Sequence, residues 1–178
     1  MRHRKVIAYI ALFTVSPIAL FIALVAYSPE TSLTSATPTQ TDPSPVINLD
    51  GVAVFVNRER AKVGLRPLTR NSTLDKTAQI KCNDLVARDY WSHDAPDGTK
   101  YGDIMTREKF WYYVSGENLA YGFADAQSTV VGWMNSKGHK ENIVRTTYTD
   151  VGYAQCEYPS TSKRGNQTVV VQHFADPV

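Results

Sequence analysis

Residues 116–120 read Gly116-Glu117-Asn118-Leu119-Ala120, and this pentapeptide is the centre of the sequence pattern. It closes a stretch, residues 111–120, whose aromatic and β-branched side chains predict an extended strand. A carboxylate in such a place is a candidate site residue, because carboxylates and imidazoles bind metals and transfer protons near neutral pH. Glu117 is therefore the first candidate for a binding or catalytic role.

Two histidines on either side of this strand have their own local motifs. His93 lies in Ser92-His93-Asp94-Ala95-Pro96-Asp97-Gly98, and His139 lies in the stretch from Trp133 to Ile143. They are far apart in the sequence, unlike the two histidines of an H-E-x-x-H helix, so their spacing alone predicts no metal site. His173 lies near the predicted end of the last strand, where we expect a solvated or partly packed side chain rather than a ligand.

The periodicity of the chain predicts an α+β domain with helices packed on a small antiparallel sheet. We expect Val52, Phe55, Val56 and Val63 to share the buried face of the first helix. The first predicted helix is residues 49–63, and the second opens with the capping-box pattern Ser72-Thr73-Leu74-Asp75. A short helix is predicted at 101–109. A third main helix is capped by Asp125, has Val131 turned inward, and is broken at Gly138 before a last turn through Ile143. Residues 150–158 alternate, residues 167–174 are the last predicted strand, and the two form a late antiparallel hairpin.

The N-terminal residues predict where the domain is located. Residues 6–27 carry no charge, and a helix of this length spans about 30 Å, enough to cross a bilayer. Basic residues in the preceding segment, 1–5, place that end in the cytoplasm and the rest outside. Residues 28–45 are rich in Ser, Thr and Pro and predict a disordered linker to an extracytoplasmic domain at 46–178. The alternative is a cleaved signal peptide and a secreted product.

The charge balance argues against nucleic acid as a partner. The chain carries 19 basic and 17 acidic residues; without the three basic residues of the first segment, 16 basic residues face 17 acidic ones. A nucleic-acid-binding domain would show a basic excess. The expected partners are the membrane, through the N-terminal helix, and an envelope, lipid or protein ligand.

The domain contains two cysteines, Cys82 on the predicted apolar face of the second helix and Cys156 on a late strand. An extracytoplasmic location and an even count favour a disulfide between them. The alternative is a pair of small buried hydrophobic side chains.

Five segments of the chain resemble, in the same order, motifs of the CAP superfamily of cysteine-rich secretory, antigen and pathogenesis-related proteins. The residues 116–120 resemble the family's GEN(I/L)A signature. The other segments are 57–68, with Asn57, Arg60 and Gly64-Leu65-Arg66-Pro67-Leu68; the His93 motif; the His139 motif; and Gln172-His173-Phe174 near the end. The resemblance is to the bacterial branch and covers nearly all of residues 46–178.

The resemblance implies a three-layer α-β-α sandwich with a cleft that brings His93, Glu117 and His139 together. It also implies a second acid in the animal and plant branches, but here that segment reads Trp133-Met134-Asn135-Ser136 and contains none. We therefore favour a membrane-tethered binding or interaction module over an enzyme; the one cofactor weighed for it is zinc or another divalent metal, weakly bound in the cleft. The alternative is a metal-dependent hydrolase in which His93 and His139 bind zinc or another divalent metal and Glu117 acts as the base. A purely structural envelope protein is the third possibility.

Overall fold

The computed structural model describes residues 45–178. Five helices and four strands follow one another along this part of the chain. The helices are α1 (Leu49–Lys62), α2 (Ser72–Ala87), α3 (Tyr101–Arg107), α4 (Ala126–Asn135) and α5 (Lys137–Ile143), and the strands are β1 (Thr69–Arg70), β2 (Tyr112–Tyr121), β3 (Asp150–Glu157) and β4 (Thr168–Pro177).

The four strands form one sheet in the order β1-β3-β4-β2. The β3–β4 and β2–β4 pairs are antiparallel, as predicted. Strand β1 pairs with β3 in parallel, so the sheet is mixed and the prediction of a wholly antiparallel sheet is wrong. The two residues of β1 are too few to show an alternating pattern, and they join the sheet through main-chain bonds such as Thr69 N–H to the Thr149 carbonyl.

Helices cover both faces of the sheet, because successive side chains of a strand point to opposite faces. Val170 and Phe174 of β4 pack in the core cluster that includes residues of α1, α4 and α5. Val169 and Val171 pack in a second cluster with α2. The predicted α+β class is therefore confirmed, and the side of the sheet covered by α2 is the side on which Glu117 lies.

Helix α2 carries the buried stripe that the sequence predicts. Leu74, Ala78, Cys82 and Leu85 are all fully buried. The cap differs from the predicted one: the Asn71 side chain accepts hydrogen bonds from the main-chain N–H groups of the helix's second and third residues.

Two apolar residues predicted to face inward are exposed. Val63 is 59% exposed because α1 ends at Lys62 and Val63 is its C-cap. Val131 of α4 is 51% exposed. The predicted break at Gly138 is also misplaced: Ser136 has extended backbone angles and separates α4 from α5, and Gly138 lies inside α5.

The structure joins Cys82 of α2 to Cys156 of β3 in a disulfide, with the two Cα atoms 5.9 Å apart. The bridge ties α2 to the middle of the sheet.

The predicted cytoplasmic end, membrane anchor and most of the linker lie outside the described residues. Within residues 45–178, no helix combines the length and apolar character needed to span a bilayer.

Candidate functional site

Glu117 lies on β2 with its side chain completely enclosed, and a histidine contacts each of its carboxylate oxygens. His93 Nδ1 lies 2.7 Å from Oε1, and His173 Nε2 lies 3.1 Å from Oε2. His173 is enclosed as well, whereas 52% of the His93 side chain is exposed. The buried carboxylate thus connects one histidine inside the protein to one at its surface.

The two contacts set the direction of the pKa shifts. Burial alone would raise the pKa of Glu117, but hydrogen bonds from His173 and His93 outweigh burial and lower it. The hydrogen bond to Glu117 raises the pKa of His93 above its ordinary value, against a smaller opposing effect of burial. At this site the folded protein therefore favours an ionised carboxylate beside a charged imidazole.

His173 was not among the predicted site residues, and its predicted position at the protein surface is wrong. The prediction ended the last strand at Phe174, but β4 continues to Pro177, so His173 lies inside the strand and directly opposite Glu117. It shares its face with Val169 and Val171, which are buried against α2, and the two-residue period of a strand would have placed it there.

Thr77 of α2 holds the other nitrogen of His173. The Thr77 hydroxyl donates to the Leu74 carbonyl at 3.0 Å, and its oxygen lies 2.9 Å from His173 Nδ1. The Thr77 hydroxyl and the Glu117 carboxylate thus contact the two ring nitrogens of His173 from opposite sides and fix the orientation of the ring.

Lys81, one helical turn after Thr77, fixes the loop that carries His93. It is 1% exposed, and its ammonium group donates to the Tyr90 hydroxyl at 3.0 Å, the Ser92 carbonyl at 2.8 Å and the His93 carbonyl at 2.7 Å. All three ammonium protons are thereby used. Burial lowers the pKa of Lys81, and the charge of Glu117 opposes that effect. Lys81 was not predicted as a site residue, because it lies beside Cys82 on a helix face predicted to be apolar.

His139 lies on α5, on the other side of β2 from α2. Its carbonyl accepts a hydrogen bond from the Asn118 side chain at 3.2 Å. Its imidazole is partly buried and, among the described residues, makes no hydrogen bond to Glu117. Burial, and then the charge of His93, lower its pKa. The structure thus joins His93 to Glu117 directly, while His139 interacts with His93 through its charge.

Trp91, two residues before His93 in the sequence, belongs to an aromatic pair. It packs edge-on against Tyr121, with ring centroids 4.6 Å apart, and Tyr121 is 42% exposed. The pair fixes the start of the loop that carries His93 against the end of β2.

The donor set is compatible with a metal ion, although residues 45–178 contain no preformed cluster of three or more His, Cys, Asp or Glu ligands. Glu117 occupies Nδ1 of His93 and leaves Nε2 as the ring's outward nitrogen. A carboxylate that orients a histidine in this way is a common second partner of metal-binding histidines. His93 and His139 are the residues that would hold such an ion.

Comparison with known proteins now identifies the family. The model of the CAP family, the cysteine-rich secretory protein family, matches residues 55–174. The chain belongs to this family. The resemblance stated from the five motifs is therefore confirmed, and the CAP domain occupies most of the described residues.

Two curated relatives come from Bacillus subtilis strain 168. The uncharacterized protein YkwD is 36% identical over 106 residues, which cover 60% of this chain and 41% of YkwD. The uncharacterized membrane protein YlbC is 31% identical over 101 residues, which cover 55% of this chain and 28% of YlbC. The CAP chain thus spans less than half the length of either relative.

Solved structures share the fold. An extracellular protein of Bacillus anthracis strain Ames that contains an SCP domain is 25% identical, with a TM-score of 0.60 over 71% of this chain and 39% of that one. An outer surface protein of Borrelia burgdorferi is 21% identical, with a TM-score of 0.64 over 73% of this chain and 92% of that one. The second likeness concerns the fold alone.

Proposed function

We propose that this bacterial-type CAP protein is tethered to the membrane, displays its domain outside the cytoplasm, and binds an envelope, lipid or protein ligand in the cleft at His93. The observation that carries the proposal is the contact between exposed His93 and enclosed Glu117. Because Glu117 holds Nδ1 and raises the pKa of His93, it favours the imidazolium form, in which the outward Nε2–H is an oriented donor. The ligand would carry an anionic or hydrogen-bond-accepting group.

Burial of Glu117 supports binding over acid–base catalysis by this carboxylate. Its side chain is 0% exposed, and each oxygen already contacts a histidine. A general base must come within hydrogen-bond reach of the proton that it removes. The carboxylate acts through His93 instead.

The location is proposed from the sequence and from the relatives. The uncharged run at residues 6–27 has the length of a membrane span. YlbC is named as a membrane protein, and the Bacillus anthracis neighbour as an extracellular protein. Fractionation of producing cells tests the tether: full-length chain in the membrane fraction supports it, and a shortened chain in the medium indicates signal cleavage.

Binding is tested by co-sedimentation of the full detergent-solubilised chain with isolated cell walls of the host. We expect His93→Ala to reduce pelleting at least tenfold, which corresponds to the loss of one charged hydrogen bond of about 1.5 kcal/mol or more. Gln127→Ala, an exposed polar residue of α4, is the matched control and should pellet like wild type. Equal pelleting of the His93 variant and wild type would contradict cell-wall binding through the cleft.

A metal-dependent hydrolase is the second candidate, because His93 turns its Nε2 away from Glu117 and His139 is a second imidazole close enough to feel the charge of His93. The lowered pKa of His139 keeps its ring neutral, the form that binds metals. A zinc ion held there would polarise a bound water or carbonyl. Isothermal titration of the full chain with zinc should show binding that the His93→Ala/His139→Ala double variant loses. The same heats in both proteins would remove this candidate.

A further inference from the structure

One cavity, which His93, Glu117 and His139 do not line, is lined by two arginines. It has a volume of about 540 Å³ and lies between the end of α1 and the loop before β3. Arg60 and Arg66 line it, with Leu65 and the hydroxyl-bearing Thr69 and Thr146. Its size is within the range of about 300–1,000 Å³ that is usual for small-molecule sites.

Arg60 is a buried cation without an acidic partner. It is 2% exposed, and no ion pair within residues 45–178 includes it. Four of its N–H groups donate to carbonyls: those of Arg66 at 2.9 Å, Ile143 at 2.8 Å, Arg145 at 2.8 Å and Tyr148 at 3.2 Å. A guanidinium has five such groups, so one N–H on Nη2 is left without a partner at the cavity.

The charged side chains that line the cavity are both arginines, and no Asp or Glu lines it. Arg66 is exposed at its rim, and the ion pairs of the described residues do not include it. A third guanidinium, that of Arg145, lies 5.4 Å from the ring centroid of the lining residue Tyr148. Burial lowers the pKa of Arg60, which shows that its charge is poorly solvated.

We propose that this cavity binds a phosphate monoester. Two unbalanced guanidinium charges match a dianion, and the fork of Arg66 can bind two phosphate oxygens side by side. The unused N–H of Arg60 reaches the phosphate from the cavity floor, and the hydroxyl of Thr146 contacts it from the side. Leu65 covers an apolar part of the ligand. The molecule that carries this phosphate is either a soluble phosphate ester or a lipid with a phosphate head, since both present the same group.

The test is isothermal titration of the full detergent-solubilised chain at low salt with phenyl phosphate, and separately with dihexanoyl phosphatidic acid below its micelle concentration. We expect saturable binding of at least one of them, weakened by added salt. Preference for phenyl phosphate would assign a soluble ester, and preference for the phosphatidic acid would assign a lipid head. Absence of binding of both at 10 mM, a concentration on the order of the weakest useful affinity, would overturn the proposal.

Arg66→Gln is the decisive variant, because the exposed Arg66 side chain can be changed without removing any of the bonds that Arg60 makes to carbonyls. It should weaken binding about tenfold or more, the effect of losing one charged bidentate contact. Arg58→Gln removes the same charge from an exposed position of α1 outside the cavity and should bind like wild type. Unchanged affinity in Arg66→Gln would overturn the proposal. His93→Ala should also leave it unchanged, so this site can fail or hold independently of the cleft.

Discussion

His93 Nδ1 lies 2.7 Å from Glu117 Oε1, and the two partners differ in exposure: 52% of the His93 side chain is exposed and none of the Glu117 side chain. A buried carboxylate therefore controls the charge of a surface imidazole. Glu117 raises the pKa of His93 through this hydrogen bond.

Replacement of Glu117 by Gln should lower the pKa of His93 towards the ordinary histidine value of about 6.5. The reason is that the hydrogen bond to the Glu117 carboxylate is the largest cause of the upward shift. The measurement is an NMR titration of the histidine Cε1–Hε1 signals in both proteins. His139 serves as the internal control, since burial dominates its shift and should keep its pKa low in the variant. An unchanged His93 titration would show that another group sets its charge.

Stability should depend on pH through His93 with a definite sign. Its folded-state pKa is raised, so its stabilising effect is complete below about pH 6.5 and is lost as the pH rises through the folded pKa. The stability difference between wild type and His93→Gln should therefore be larger at about pH 5.5 than at about pH 9. Urea unfolding at both pH values measures it.

The contribution of His139 to stability should depend on pH in the opposite direction, which makes it a control. Its folded-state pKa is lowered, so the folded protein resists its protonation and loses stability as the pH falls from about 6.5 through the folded pKa. His139→Gln should gain stability relative to wild type on acidification. The same trend in both histidine variants would contradict the two shifts.

Lys81→Met should destabilise the domain by about 2 kcal/mol or more, because it removes charged hydrogen bonds to two loop carbonyls. Urea unfolding gives the free energy, and hydrogen exchange should show faster opening of the loop at residues 91–99. Lys76→Met on the same helix is the matched control. The Lys76 side chain is 64% exposed in its ion pair with Glu108, so its loss should change stability by about 1 kcal/mol or less. Equal effects of the two changes would contradict the role given to Lys81.

Gly152→Ala should destabilise the domain by about 3 kcal/mol or more, since packed interiors tolerate added atoms poorly. A Cβ at this position of β3 would overlap main-chain atoms of Leu74 and Asp75 in α2. Thermal unfolding measures the loss. Gly138→Ala is the control: a Cβ there meets nothing within 4 Å, and the change should be neutral or stabilise α5 by up to about 1 kcal/mol. A melting temperature unchanged by Gly152→Ala would show that α2 can move away from the sheet.

Removal of the disulfide by Cys82→Ala/Cys156→Ala should lower the free energy of unfolding by about 4 kcal/mol, the chain-entropy value for a loop of this length. The cysteines are 74 residues apart. Guanidinium unfolding with and without reductant measures the effect. Reductant should destabilise wild type and leave the double variant unchanged; sensitivity of the double variant would indicate a different cause.

The sequence predicted the elements whose side chains repeat with a regular period. The stripe from Leu74 to Leu85 on α2 is such a local pattern, and it appears in the structure. Strand β3 was predicted from an alternation and is present, although its burial does not alternate, because helices cover both faces of the sheet. Strand β1 could not be predicted, because two residues show no period and its pairing depends on β3, far along the chain.

The residues of the candidate site also fall into two groups, those predictable from local motifs and those that depend on long-range contacts. Glu117, His93 and His139 were predicted from local motifs. The expectation that they share one cleft came from the family resemblance. His173 and Lys81 were missed because their roles depend on the register of β2 against β4 and on how α2 lies over the His93 loop. These are long-range relationships that the spacing of residues within one segment does not reveal.

The bridge between Cys82 and Cys156 has a consequence for how the site is made. Thr77 and Lys81, which support the histidines, lie on the bridged helix, but their helix is synthesised well before β3 supplies the second thiol. Until residue 156 has been added, α2 therefore has no covalent tie to the sheet. The support that this helix gives to His93 and His173 becomes covalently fixed only after the two sulfurs have met.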